Sequence, residues 1–171
     1  MEIFKYVIPA FIVMMTAYLL IDKMLVNEDK RRKSELLKKN QSTVLPIRLR
    51  AYERIMLLIE RTNPESMLIN VIKPGMQCIE FQTQLLQFIR SEFEHNFSQQ
   101  IYVSEELWEA ITNTRNNLVK IINTAASKFN PDDSATRLAE LILTIYNEVD
   151  ENPSQVATNI IREETKNQFF S

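Results

Sequence analysis

An all-α protein is what this sequence predicts: an apolar N-terminal helix, a basic stalk, then a bundle of five or six amphipathic helices. Three observations predict it. Residues 6–21, YVIPAFIVMMTAYLLI, are sixteen consecutive residues without a charge. From residue 45 onward, apolar side chains recur at the three- and four-residue spacing of a helix face. The periodicity breaks at Asn-Pro pairs (63, 130 and 152) and at Lys73-Pro74-Gly75, which holds the only glycine; these are helix-cap and tight-turn residues.

The N-terminal run comes first. With Ile3 and Phe4 included, a helix over 3–21 covers roughly 24 to 28 Å at 1.5 Å per residue, close to a hydrocarbon thickness of about 30 Å. A cleaved secretory signal and a buried soluble helix are the competing readings. The run ends in AYLLIDKM, whose bulky side chains do not suit a cleavage site, and Tyr6 and Tyr18 near its two ends fit interfacial anchors. The expectation is an uncleaved transmembrane anchor over residues 1–22. Pro9 is tolerated near the first turn.

Residues 22–40, DKMLVNEDKRRKSELLKKN, hold seven Lys or Arg against four acids. By the positive-inside rule this places the long C-terminal part in the cytoplasm and the anchor in the inner membrane as a single pass. Lys30, Arg31, Arg32 and Lys33 are candidate membrane-surface residues for anionic lipid headgroups, or a solvated stalk that only sets topology. KNQSTVLP, residues 39–46, has linker composition and closes a stalk assigned to 23–44. Residues 45–171 form the cytoplasmic domain.

That domain carries twelve basic and seventeen acidic residues. A nucleic-acid-binding domain has the opposite sign, so nucleic acid is excluded as a partner. The single cysteine, Cys78, agrees with a reducing compartment and forbids an intramolecular disulfide or a multi-cysteine zinc site.

Within the domain, Leu45, Leu49, Tyr52, Met56 and Ile59 mark the first amphipathic helix. Asn63 and Pro64 stop it and open ESMLINVI, a short segment ambiguous between helix and strand; residues 67–72 and 101–103 are candidates for a minor two-strand element. Behind Gly75, a strongly apolar helix is expected from about 77 to 96. Ser104 with Glu105 and Glu106 reads as an N-cap followed by acids that complement the helix dipole, opening a long helix toward Phe129. Ala135, Leu138, Leu141, Ile142, Ile145 and Val149 make the next, and Asn152 with Pro153 starts the last.

The chemistry signals are few. EFEH, residues 92–95, has the Glu-x-x-His spacing of carboxylate-bridged di-iron sites, but those need two such motifs and His95 is the only histidine. One glycine excludes phosphate loops, dinucleotide fingerprints and the nucleophile elbow. Cys78 and His95 on one helix stand about 25 Å apart and cannot pair. The expectation is no enzyme, no metal and no cofactor, with a carboxylate-only hydrolase as a distant alternative.

Candidate partner-binding residues remain. Arg50, Arg54 and Arg61 share one side of the first domain helix, either paired with Glu53 and Glu60 or forming a stripe for an acidic partner or the membrane. Phe97, Tyr102 and Trp108 cluster at the 96–108 junction, as core or as an aromatic anchor, with His95 and Gln99 beside them.

Two stretches, LPIRLRAYERIMLLIERTNP (45–64) and FIRSEFEHNFSQQIYVSEELW (88–108), behind an N-terminal anchor, resemble an uncharacterised Bacteroidota family of membrane-anchored helical proteins. The resemblance implies a cytoplasmic-membrane setting and no catalytic residues, and it singles out Arg54, Glu60 and EHNFSQQ for mutation. The function expected is a membrane-anchored adaptor or accessory subunit of an inner-membrane or envelope complex, binding another envelope or cytoplasmic protein. The alternative is a self-assembling homo-oligomer.

Overall fold

The computed structural model describes residues 2–148 and 153–169; within these, the side chains of 2–13, 37, 38, 40, 41, 168 and 169 are not described. It is all-helical. The elements are α1 (Glu2–Thr62), α2 (Pro64–Val71), α3 (Cys78–Asn96), a 3-10 turn (Phe97–Ile101), α4 (Glu105–Ala126), α5 (Ala135–Asn147) and α6 (Pro153–Phe169). The chain divides into two compact units, Met1–Pro46 and Ile47–Ser171.

In the first unit, the described apolar side chains from Met14 to Val26 are exposed, Tyr18, Leu20 and Met24 at 70, 67 and 74%. Among the described residues no helix is long and apolar enough to cross a membrane. The expected span over 3–21 falls largely outside that statement, because the side chains of residues up to 13 are not described.

The expected break at 39–46 is helix instead. Pro46 removes one backbone donor and so costs one intrahelical bond, whereas stopping the helix would require a new and costly nucleus. Ser42 and Thr43 turn their hydroxyls back onto the Lys39 carbonyl at 2.8 and 3.1 Å, which keeps them compatible with helix. Glycine, the residue that would terminate it most readily, is absent from this stretch.

The core lies in the second unit. α1 contributes Ala51, Tyr52, Ile55, Leu58 and Ile59, all buried, while Leu49 is exposed and Met56 only half-buried. The expected stripe is therefore rotated toward 51, 55 and 58. In the run Ile55-Met56-Leu57-Leu58-Ile59 apolar residues cover most of the helix circumference, so the charged positions Glu53, Arg54, Glu60 and Arg61, all exposed, mark the outer face better than the apolar ones mark the inner.

Asn63 caps α2 by accepting the Glu65 amide at 3.2 Å, with Pro64 in the first turn. This start makes residues 64–71 helical, and Ile101 ends the 3-10 turn with Tyr102 and Val103 in the bend after it, so the candidate strand pair does not form. Pairing appears elsewhere, as one isolated antiparallel bridge between Gln77 and Ser134. Around it the Cys78 amide donates to the Asp133 carbonyl at 2.8 Å and the Ala135 amide to the Met76 carbonyl at 3.1 Å. Gly75 sits at φ +78°, the left-handed conformation that the turn before α3 requires.

α3 buries Cys78, Phe81, Leu85, Ile89 and Phe93 along one face. α4 packs on α3, α5 and α6, and α2 on α3 and α5. On α6, Ala157 and Ile161 are buried. A polar knot fastens its far end: the Glu164 carboxylate accepts from the Tyr52 hydroxyl at 2.7 Å and from Ser104. Ser104 at the same time caps α4 by accepting the Leu107 amide at 3.0 Å. Arg48 donates to the Tyr102 carbonyl at 3.1 Å and to the Tyr52 hydroxyl oxygen at 3.3 Å.

Burial pushes the Cys78 thiol above its ordinary value, and the charge of Asp133 adds to this. Folding thus favours the neutral thiol. Its contribution is complete below the unfolded pKa of about 8.5 and is lost as pH rises toward the higher folded value. At pH 8, a thiol reagent should label Cys78 in the folded chain slower than in urea by on the order of a hundredfold, since labelling waits for opening. Equal rates would contradict the packing of α3.

Candidate functional site

Two surfaces of the second unit meet along α3. The first is a polar cleft of roughly 300 Å3 between α1 and α3, lined by Arg54, Leu57, Arg61, Ser91, Glu92 and His95 among others. It exists because α1 keeps its charged positions outward while Ile55 and Leu58 pack inward. Arg54 donates through Nε to Asn96 Oδ1 and through Nη2 to the His95 carbonyl, both at 3.3 Å. Asn96 is buried, and its amide donates to the Glu92 carbonyl at 2.9 Å, so it is satisfied at both ends where α3 stops. Arg61 approaches Glu92 at 3.4 Å.

These contacts redefine EFEH. Glu92 serves Arg61, and the His95 backbone serves Arg54 while the His95 side chain is exposed. Among the described residues no three of His, Cys, Asp or Glu gather as metal ligands would. Arg54 is held by neutral acceptors, and among the described residues no carboxylate lies within ion-pair distance of it. Its charge is therefore available to an anion.

The other sequence candidates divide. Arg50 is exposed and does not line the cleft. Gln99 is buried and its amide donates to the Ser98 hydroxyl at 3.2 Å, so it braces the 3-10 turn and offers little surface. Tyr102 is half-buried, and its carbonyl is taken by Arg48. In the first unit, Lys30, Arg31, Arg32 and Lys33 are exposed. Two of these four have acidic partners one turn away: Arg31 meets Glu35 at 2.9 Å and Arg32 meets Glu28 at 3.6 Å. The hydrogen bond that Arg31 donates to Glu35, and then the charge of Glu35, raise the Arg31 pKa above its ordinary value.

The second surface is a groove of roughly 1210 Å3 between α3 and α4. Leu86, Phe93, Phe97, Trp108 and Val119 give it an apolar floor and wall, and Arg90, Glu94 and Arg115 line it with charge. Phe97 is 60% exposed and meets Trp108 edge-on, ring centroids 6.0 Å apart at 76°. Arg115 lies over the Phe93 ring at 5.4 Å, a cation–π contact. Ser91 lines both the groove and the cleft, so the two surfaces adjoin across α3.

Of the groove residues, sequence reasoning singled out Phe97 and Trp108 as a candidate aromatic anchor and missed Arg90 and Arg115. Arg90 stands on α3 and Arg115 on α4, away from the residues that each helix buries. The spacing within each helix carried the signal; that the two flanks face one another did not show in it.

Among the described residues, six α-helices and one 3-10 turn define an all-helical bundle protein with two open surfaces along α3. The model of a family of unknown function, DUF7935, matches residues 1–168, and the chain belongs to that family. No curated protein and no solved structure matches it. The family description assigns neither a source organism nor a membrane location.

Proposed function

We propose that the protein is a membrane-anchored helical adaptor, an accessory subunit whose second unit binds another envelope or cytoplasmic protein. The observation that carries this reading is the α3/α4 groove, an open apolar surface with Phe97 standing 60% exposed at it. Isolated apolar side chains on a surface are ordinary, but a contiguous concave patch rimmed by polar groups is a binding feature. Residues 3–21 supply the anchor in this reading, with the basic residues 30–33 on the cytoplasmic side of the inner membrane. The uncharged run and the exposed apolar side chains of Tyr18, Leu19, Leu20 and Met24 support it. Anchoring confines the adaptor near its partner, so a modest interface suffices through raised effective concentration.

The test is a tagged pull-down of the full-length protein from crosslinked native membranes, read by mass spectrometry. A stoichiometric foreign chain is the expected result. Recovery of the protein alone as an oligomer would replace the adaptor with a self-assembling subunit. The same membranes, washed with high salt and then at alkaline pH, should retain the protein. Release in either wash would refute the anchor.

A further inference from the structure

We propose that the groove and the arginines beside it recognise an acidic amphipathic helix of the partner protein. Its apolar side would seat on Leu86, Phe97 and Trp108, and its acidic side would face Arg90 and Arg115. The proposal rests on the adaptor reading and deepens it by naming the chemistry of the partner.

Shape is the first argument. The groove runs along α3 from Thr83 to Phe97, about 21 Å at 1.5 Å per residue, or roughly four turns of a helix. At about 1210 Å3 it exceeds the range of roughly 300 to 1,000 Å3 usual for small-ligand pockets. Two helical walls with an apolar floor suit a helix-in-groove interface, its anchors at i, i+3, i+4 and i+7. A bilayer surface is flat on this scale and would leave the floor unfilled.

Charge is the second argument, and it selects the sign of the partner. Residues 47–171 hold twelve Lys or Arg against seventeen Asp or Glu, yet the adjoining groove and cleft reverse that balance. Arg90 and Arg115 line the groove against one carboxylate, Glu94; Arg54 and Arg61 line the cleft against one, Glu92. Arg61 is the only one of the four with an acidic partner among the described residues, and that contact is long and 61% exposed on the arginine side. Arg115 engages the Phe93 ring and the Asn116 amide oxygen, both neutral. The patch is a positive island on an acidic unit, which attracts an acidic surface and repels a basic one.

Trp108 is the only tryptophan in the chain, so its emission reports occupancy of the groove directly. Full-length protein in a nonionic detergent is titrated with two tryptophan-free, 18-residue helical probe peptides. Both carry leucine and phenylalanine on one face; the opposite face is glutamate in one and lysine in the other. The glutamate peptide is expected to shift the emission saturably, with an apparent affinity at least about tenfold above that of the lysine peptide, an advantage that shrinks as salt rises. The R90E/R115E variant should reverse the preference. R90E alone, which leaves the stacking of Arg115 on Phe93 intact, should reduce it.

Equal affinity for the two peptides, or no response to either, would overturn the proposal. So would an oligomer of the wild-type protein that R90E/R115E dissolves, because the occupant would then be a second copy of this chain. The two readings fail separately. A partner captured equally by wild type and R90E/R115E removes the acidic-helix inference and leaves the adaptor standing, whereas no partner for the wild type removes the adaptor itself.

Discussion

Phe81→Ala in the full-length protein is expected to lower the unfolding free energy by about 3 to 5 kcal/mol, the usual cost of emptying a buried phenylalanine site. Phe81 is 0% exposed and stands on the inner face of α3 between Cys78 and Leu85. α3 packs on α2, α4 and α5, so neighbours on several sides would have to move to close the void, and relaxation is limited. Against a total stability of roughly 5 to 15 kcal/mol for such a domain, the loss is a large fraction. Urea denaturation followed by far-ultraviolet circular dichroism measures it. A loss below about 1 kcal/mol would mean that α3 is not packed as described.

The second large effect is expected at Glu164. Its carboxylate accepts the Tyr52 and Ser104 hydroxyls at once, tying α6 to α1 and to the cap of α4. A hydrogen bond to a charged group contributes about 1.5 to 3 kcal/mol, and deleting Glu164 removes the acceptor shared by the buried Tyr52 and the half-buried Ser104 hydroxyls. With two such bonds lost, Glu164→Ala should cost about 3 kcal/mol or more. Glu163→Ala, one residue away and exposed, should stay within about 0.5 kcal/mol. Equal effects at the two positions would show that the knot does not hold α6. A thermal melt of both variants in the same detergent decides between these outcomes.

Much of this fold was legible because its punctuation is chemical. Asn63 and Ser104 each accept an amide of the following helix, as the sequence leads one to expect, whereas at the Asn130-Pro131 break the cap of α5 is Ser134, four residues further on. The inner face of α3 was less legible, because apolar side chains stand on both sides of that helix: Ile79 is 49% exposed while Phe81 and Leu85 are buried. One reading failed, and another stayed open between helix and strand, for a shared reason. Local composition was asked to decide whether a helix stops, at 39–46, and whether a short apolar run is a strand, at 67–72. In both places propagation from a neighbouring helix or cap outweighs the weak preferences of a few residues.

The candidate surface was only half legible. Arg54, Arg61, His95 and the aromatic pair could be singled out by residue type, and the structure brings the first three to one cleft and the pair to the groove. Gln99 could not be separated from them, because a buried polar residue in a 3-10 turn has the same composition signature as an exposed one. Arg90 and Arg115 acquire significance only from long-range packing of α3 on α4. A single chain read in order does not contain that information.

The bonds that join the 76–78 turn to the 131–135 loop have a mechanical consequence. They close the chain between them into a ring, and both α3 and α4 lie wholly inside it. A force on either groove wall is shared around the ring by two routes in parallel, and no free chain end lies between the walls to peel away. The ring is fastened as a buckle is, and the Gln77 and Ser134 bridge is its pin.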